Sequence, residues 1–136
     1  MAKAAGTSDR MLVYHFQTKA GAVRAALDVI AARNIAALDA ALPPRPLAAA
    51  ALLPRIGHAM RAELFQDSMA VFFELAARAL RGDEDARTVG GRIASHFRDW
   101  LAARLLEPER AGELLAAIEG WGVLRAVGLD LPFPSG

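Results

Sequence analysis

Apolar side chains recur every three or four residues along most of the chain, and this restricts the fold to packed helices. The first and longest such segment covers residues 18–41, with apolar positions at Val23, Leu27, Ile30, Ala31, Ile35, Leu38 and, just beyond it, Leu42. This spacing places the apolar residues on one face of a helix. No segment alternates polar and apolar residues over the length of a strand. The sequence therefore predicts an all-α protein.

The segment "LPPRP" (residues 42–46) ends the first long helix and predicts the boundary between two regions. Consecutive prolines lack amide donors and force the backbone into extended conformations, so a helix cannot continue through them. We divide the chain here into residues 1–42 and residues 43–136. The second region opens with a helix over residues 47–61, which we expect to be interrupted or restarted at Pro54.

Three more helices are predicted after this one. The clearest apolar stripe of the chain comprises Phe65, Met69, Phe72, Phe73, Ala76 and Leu80. After a turn at Gly82, a second stripe comprises Val89, Ile93, Phe97, Trp100, Leu101 and Leu105. Gly90 and Gly91 should weaken or bend the start of that helix. Pro108 then begins a last helix that runs to about residue 127 and stops at Gly128.

Composition excludes several classes of protein. The chain of 136 residues is long enough for one domain or for a small module joined to a compact one. It contains no cysteine, so it can form neither disulfides nor thiolate metal sites. It opens without the apolar run of a signal peptide, and no apolar run is long enough to span a bilayer. We therefore expect a soluble, cytoplasmic protein with no membrane association.

Charge is unevenly distributed along the chain. Residues 1–45 carry six cations against three anions, whereas the remaining residues carry ten against twelve. A basic first region is a weak indication of an anionic partner for it.

The opening segment "AGTSDRMLVYHFQTK" (residues 5–19) has the spacing of a helix-turn-helix. Gly6 follows a short alanine-rich segment that we interpret as the end of one helix. Ser8 can accept a hydrogen bond from amides two or three residues later and so begin a short second helix. Thr18 can begin a third helix near Lys19.

The short second helix should have an apolar face and a polar face. Leu12, Val13 and Phe16 are expected to pack inward. The other side exposes a cation, a phenol and hydroxyl groups, which suit base edges and phosphates in a major groove. These polar-face residues are Thr7, Ser8, Arg10, Met11 and Tyr14. Lys19 would lie at a helix N-terminus, where a bound phosphate would offset the unfavourable position of its charge.

The segment "AKAAGTSDRMLVYHFQTK" (residues 2–19) resembles the second half of the DNA-binding domain of TetR-type transcriptional regulators. The pattern of that family is Ala-x-x-Ala-Gly-[Val/Thr]-Ser, three variable residues, then Leu-Tyr-x-His-Phe-x-x-Lys. The matching positions are Ala2, Ala5, Gly6, Thr7, Ser8, Leu12, His15, Phe16 and Lys19. Val13 stands where the family usually has a tyrosine that touches phosphate, and Tyr14 is the candidate to replace that contact.

The resemblance implies a ligand-responsive regulator, most simply a repressor, that binds operator DNA as a dimer. Thr7, Arg10, Met11 and Tyr14 would read the major groove, while Tyr14, His15 and Lys19 would hold phosphates. The remaining residues would form a linking helix followed by a ligand-binding and dimerisation domain. "AAIEGWGVLRAVG" (residues 116–128) also resembles the last helices of the family.

The resemblance further implies a first helix that is absent from the chain as written. That helix would cover Leu12, Val13 and Phe16, so without it we expect weak DNA binding with little sequence preference. Two alternatives stay open. The opening segment would be an exposed amphipathic turn in an ordinary bundle, or the whole protein would be a helical ligand-binding and dimerisation module that binds no DNA.

Sequence motifs for catalysis are absent, so we expect a protein that is not an enzyme and uses no cofactor or metal. The histidines at positions 15, 58 and 96 lack metal-ligand spacing such as H-E-x-x-H. No G-x-S-x-G elbow or glycine-rich phosphate loop occurs. We interpret His96 as a half-buried structural histidine.

The aromatic and methionine side chains of residues 60–100 allow two interpretations. They either fill the core, or some of them line an apolar pocket for a small apolar or aromatic effector. The pocket candidates are Met60, Phe65, Met69, Phe72, Phe73, Phe97 and Trp100, with His58, Glu74 and His96 as candidate polar contacts.

The last helix indicates self-association. From Leu114 to Leu124 its only charged residue is Glu119, so the helix is apolar on nearly all sides. Such a helix must be covered on several faces. Either it is the central helix of a monomer, or it forms a homodimer together with the helix before it.

Overall fold

The structure, a computed structural model, describes residues 20–136, with side chains from residue 24 onward. Its five α-helices in this range are α1 (Ala20–Ala40), α2 (Ala49–Met60), α3 (Glu63–Leu80), α4 (Glu84–Arg104) and α5 (Ala111–Ala126). A short 3-10 turn, Pro108–Arg110, leads into α5. The prediction of an all-α fold is confirmed for the described residues, which contain no strand. The predicted helix-turn-helix of residues 5–19 lies outside them.

The ends of the helices follow local sequence signals. Asp83 precedes α4 and accepts a hydrogen bond from the amide of Ala86 at 3.0 Å, which caps the helix. Gly82 and Gly128 have φ angles of 98° and 93°, in the left-handed region that favours glycine. The predicted turn at Gly82 and the predicted stop at Gly128 are therefore confirmed. None of the helices between residues 20 and 136 is long and apolar enough to cross a bilayer.

One predicted irregularity is wrong. Pro54 lies inside α2 without interrupting it. The cost of the lost amide is offset by burial, because Leu52, Leu53 and Ile56 on either side of the proline are fully buried. The helix α4 also runs without a break through Gly90, whose backbone lies against Leu75 of α3. Tertiary packing thus outweighs the low local propensity at both positions.

The core consists of two clusters of buried side chains that share α4. The larger one joins α2 to α4 and α5, and Leu101 and Ile118 are fully buried within it. The smaller one joins α1 to α3 and α4 through Leu27, Val71 and Val89. Each such side chain contributes about 1.5–3 kcal/mol when fully buried, so both clusters hold their helices firmly.

The apolar stripe predicted on α3 is correct at its start and wrong at its end. Phe65 is buried, but Ala76 is exposed and Leu80 is 90% exposed. The buried residues of α3 are Phe65, Val71 and Leu75, and only Phe65 among them belongs to the predicted stripe. Val71 and Leu75 pack against α1 and α4, whereas Ala76 and Leu80 face solvent.

Polar contacts fix α1 along the length of α4. Near the start of α1, Arg92 donates to both carboxylate oxygens of Asp28 at 2.9 and 3.0 Å. Near its end, the indole of Trp100 donates to Asp39 at 2.8 Å. Arg104 donates to the carbonyl of Pro43 just after the helix. These contacts give α1 a defined position against the rest of the bundle.

The C-terminal segment folds back over α5 and α2. The ring of Phe133 packs edge-on against Trp121, with centroids 4.8 Å apart, and the Trp121 indole donates to the carbonyl of Leu131 at 3.0 Å. Phe133 also lies directly over Gly57 of α2, where a Cβ atom would come within 2.8 Å of the ring. The glycine is therefore needed for this close approach.

Candidate functional site

An apolar cavity of about 100 Å³ lies between α1, α3, α4 and α5. Met60, the last residue of α2, closes one side of it. The lining residues are mostly apolar: Leu27, Ile30, Ala31, Ile35, Met60, Phe65, Met69, Val71, Phe72, Ile93, Ala94, Phe97 and Leu115. The polar ones are Asn34, Ser68, His96 and Glu119. A concave apolar surface with few polar groups is the usual form of a small-molecule site.

The amphipathic sequences of the four helices explain why the cavity forms where it does. On α1, Leu27, Ile30 and Asn34 follow one another at spacings of three and four, so all three face the same way. On α5, Leu115 and Glu119 are one turn apart and also share a face. The cavity is thus enclosed by side chains that helical geometry places towards the middle of the bundle.

The polar groups in the cavity differ in their hydrogen bonding. The hydroxyl of Ser68 donates to the carbonyl of Leu64 in its own helix at 3.0 Å. Within residues 20–136, Asn34 Oδ1 and Glu119 Oε2 are shielded from solvent and have no hydrogen-bond partner. Buried polar atoms are normally paired, because an unpaired one retains the cost of its lost hydration. Two acceptor oxygens are thus unused.

Burial raises the pKa of the Glu119 carboxyl from 4.5 to about 7. Removal from water disfavours the charged form, and no charge in the described part of the chain offsets this effect. Glu119 is therefore a mixture of neutral and ionised forms near neutral pH. A strongly perturbed acid in a concave site is a feature of functional positions.

Six of the ten residues predicted to contact a ligand line the cavity: Met60, Phe65, Met69, Phe72, His96 and Phe97. The other four, His58, Phe73, Glu74 and Trp100, do not. His58 is exposed on the last turn of α2, and Trp100 faces α1, where it bonds to Asp39. Phe73 points towards Gly122 of α5.

His96 and Glu74 have different surroundings from those predicted. His96 is exposed, so its interpretation as half-buried is wrong, and its imidazole lies at the solvent edge of the cavity. Glu74, a candidate polar contact, instead pairs with Arg78 on its own helix at 3.2 Å. Its carboxylate is engaged one turn along α3, away from the cavity lining.

Sequence reasoning missed Glu119 and Asn34 as cavity residues. The signal for Glu119 was a single acid in a helix that is otherwise apolar from Leu114 to Leu124. A charge at such a position is expensive unless it has a partner or a role. Asn34 carried no comparable signal, because an amide in a surface helix is ordinary.

The exposed side of α5 forms a second candidate surface. It presents Gly112, Ala116, Gly120, Val123 and Leu124, and Val127 follows just after the helix. Val123 is 46% and Val127 77% exposed. Large apolar side chains exposed together in this way are characteristic of protein contact surfaces.

The DNA-binding residues predicted in the opening segment cannot be placed, because residues 1–19 lie outside the described part of the chain. Within residues 20–136, no group of three or more histidine, aspartate or glutamate side chains is arranged to hold a metal ion. Comparisons with protein-family models, with curated proteins and with solved structures found no match for this chain.

Proposed function

We propose that this protein is a ligand-responsive transcriptional regulator of TetR type that acts in the cytoplasm and binds double-stranded DNA as a homodimer. Residues 1–42 would contain the DNA-binding region and linking helix, and residues 43–136 would bind a small apolar or aromatic effector. The support for the DNA-binding region is the resemblance of residues 2–19 to that family. The support for the effector is the apolar cavity.

The observation that carries the proposal is the contribution of α1 to the cavity wall. Leu27, Ile30 and Asn34 of α1 line the cavity. Ala20, the first described residue of this helix, follows Lys19, the last residue of the DNA-binding pattern, directly in the sequence. A ligand in the cavity would therefore contact the helix that connects it to the DNA-binding residues.

Regulation would work through a shift between two positions of α1. A ligand changes such an equilibrium only if it binds one arrangement more tightly than the other. Filling the cavity would push α1 away from α3 and α5, whereas the empty cavity allows α1 to stay close. In a dimer, this movement would change the separation of two DNA-binding regions that must match half-sites about 34–36 Å apart.

The exposed apolar side of α5 supports the homodimer. Two copies of α5 could approach closely there, because Gly112, Ala116 and Gly120 have small side chains one turn apart. We propose that α5 and the neighbouring α4 form the interface. Light scattering at micromolar concentration should give a dimer mass, and Val123→Glu should give a monomer. A monomer mass for the unchanged protein would contradict the proposed interface.

DNA binding can be tested with charge variants that are matched between the two regions. Lys19→Ala should weaken binding to the promoter DNA adjoining the gene and should reduce the slope of log affinity against log salt by about 1. Arg55→Ala removes one charge from an exposed position on α2, outside the proposed dimer interface, and should leave both quantities unchanged. Fluorescence anisotropy at several low salt concentrations measures both.

The same comparison of charge variants can contradict DNA binding by the opening segment. If Lys19→Ala and Arg55→Ala have the same small effect, the opening segment makes no specific phosphate contact. The protein would then be a helical ligand-binding and dimerisation module without DNA binding.

A further inference from the structure

Glu119 is the feature of the cavity that a purely apolar effector leaves unexplained. It is the one carboxyl among the cavity-lining residues of the described chain, and its Oε2 atom is unpaired there. Helix packing does not require a charge at position 119, because Leu115, one turn earlier on the same face of α5, is apolar and also lines the cavity. A leucine or methionine at 119 would avoid the cost of burying a carboxyl group. The carboxyl is therefore best explained by what it binds.

The unpaired atoms specify the chemistry of the missing partner. Glu119 Oε2 and Asn34 Oδ1 are both hydrogen-bond acceptors, and both belong to residues that line the cavity. A partner that satisfies both atoms when Glu119 is ionised must therefore donate hydrogen bonds. An ammonium group has three donors and no acceptor, and its charge compensates an ionised carboxylate. A carboxylate or phosphate ligand would offer no donor and would be repelled.

We propose that the cavity binds an aromatic or apolar primary amine, with the ammonium group on Glu119 and Asn34 and the apolar part against Phe72 and Phe97. This assignment rests on the proposed effector-binding function and gives the chemical class of the effector. The other walls of the cavity come from α1, α3 and α4, and among the described residues their one titratable side chain at the cavity is His96. In this part of the chain, therefore, the cavity lining holds no second carboxylate that would compete for the amine.

The size of the cavity limits the ligand to one ring with a short chain. An engineered protein cavity of about 150 Å³ holds benzene, and this cavity is about 100 Å³. Because it is smaller than the benzene-binding cavity, it admits at most one ring, and any larger substituent must extend past the exposed His96 into solvent.

Three compounds of nearly equal shape test the proposal on the full chain. They are benzylamine, benzyl alcohol and benzoate, which carry a positive, a neutral and a negative group on the same ring. Isothermal titration at pH 8 should show benzylamine binding at least about ten-fold more tightly than benzyl alcohol, and benzoate not at all. Glu119→Gln keeps the side-chain volume and should remove the advantage of benzylamine while leaving benzyl alcohol unchanged. Asp67→Asn, at an exposed position on α3, should change neither.

The outcomes distinguish the proposed preference for an amine from the proposed effector site. If benzyl alcohol binds as tightly as benzylamine to the unchanged protein, the preference for an amine is wrong, but the binding itself still supports an apolar effector site. If Glu119→Gln leaves the preference for benzylamine intact, Glu119 does not hold the ammonium and the proposal fails. If none of the three compounds binds at millimolar concentration, both the amine and the proposed effector site are overturned. The comparison in the unchanged protein decides the matter even if the variant does not fold.

Discussion

Replacing Glu119 with glutamine should stabilise the protein, and the gain should depend on pH. The folded-state pKa of about 7 lies above the ordinary value of 4.5. Below pH 4.5 the carboxyl is neutral in both the folded and unfolded states and costs nothing for its charge. Between pH 4.5 and 7 the unfolded state ionises first, so the folded state loses stability as the pH rises. Above pH 7 the full cost is present.

The size of the effect follows from the pKa shift. Each pKa unit corresponds to about 1.4 kcal/mol, so a shift from 4.5 to about 7 corresponds to an upper estimate of about 3 kcal/mol. Glutamine at position 119 does not ionise and avoids this cost. We expect Glu119→Gln to match the unchanged protein at pH 4.5 and to exceed its free energy of unfolding by about 1–3 kcal/mol at pH 8.

Urea denaturation followed by circular dichroism at pH 4.5, 6 and 8 measures this difference directly. Asp67→Asn is the matched control, because it also replaces an acid by its amide at an exposed position on a helix. Its free energy of unfolding should track that of the unchanged protein within about 0.5 kcal/mol. Equal stability of Glu119→Gln and the unchanged protein at all three pH values would contradict this prediction, because it would mean that the Glu119 carboxyl is not buried.

Three further predictions concern packing. Phe72→Ala should lower the free energy of unfolding by clearly less than the roughly 2–5 kcal/mol expected for Leu52→Ala at a fully buried position, because Phe72 already borders empty space. Chemical denaturation compares the two variants, and equal losses would show that Phe72 only fills the core. Phe133→Ala should uncover Trp121 and shift its fluorescence to longer wavelength; an unchanged spectrum would mean that the C-terminal segment does not rest on α5. Arg92→Ala should lower the free energy of unfolding by no more than about 1 kcal/mol, because its ion pair is exposed, and a larger loss would show that the pair is stronger than an ordinary exposed ion pair.

The helices were predictable because their signals are local. The spacing of Leu27, Ile30 and Leu38 fixes which face of α1 is apolar without reference to any other segment. The turn at Gly82 is similarly local, because a positive φ angle favours glycine whatever surrounds it. Pro54 shows the limit of such reasoning. Its low helix propensity is local, but the burial of Leu52 and Leu53 that overcomes it depends on α4 and α5.

The cavity was predictable in part for a related reason. Met69 and Phe72 lie on the predicted stripe of α3, and Phe97 lies on that of α4, so all three were expected to face inward. Which inward side chains border a cavity and which fill the core depends on how the helices cross. Trp100 and Phe97 share a stripe, but only Phe97 reaches the cavity.

The contact between Phe133 and Trp121 could not be predicted from local patterns. The segment after Gly128 has no periodicity, and its position depends on a surface formed by two helices that are distant in the chain. Glu119 was visible as an isolated charge, but its surroundings were not. Its unpaired oxygen results from where α5 is placed against α1 and α3.

We expect a molecule bound in the cavity to change the affinity of this protein for DNA through α1. The most direct test measures anisotropy of labelled promoter DNA with the full chain at one fixed low salt concentration, with and without saturating benzylamine. Benzyl alcohol at the same concentration gives the response to a neutral ring. Benzylamine should weaken DNA binding several-fold, and Glu119→Gln should abolish this response. Saturation of the cavity with no change in DNA affinity would show that the cavity and the DNA-binding region are not coupled.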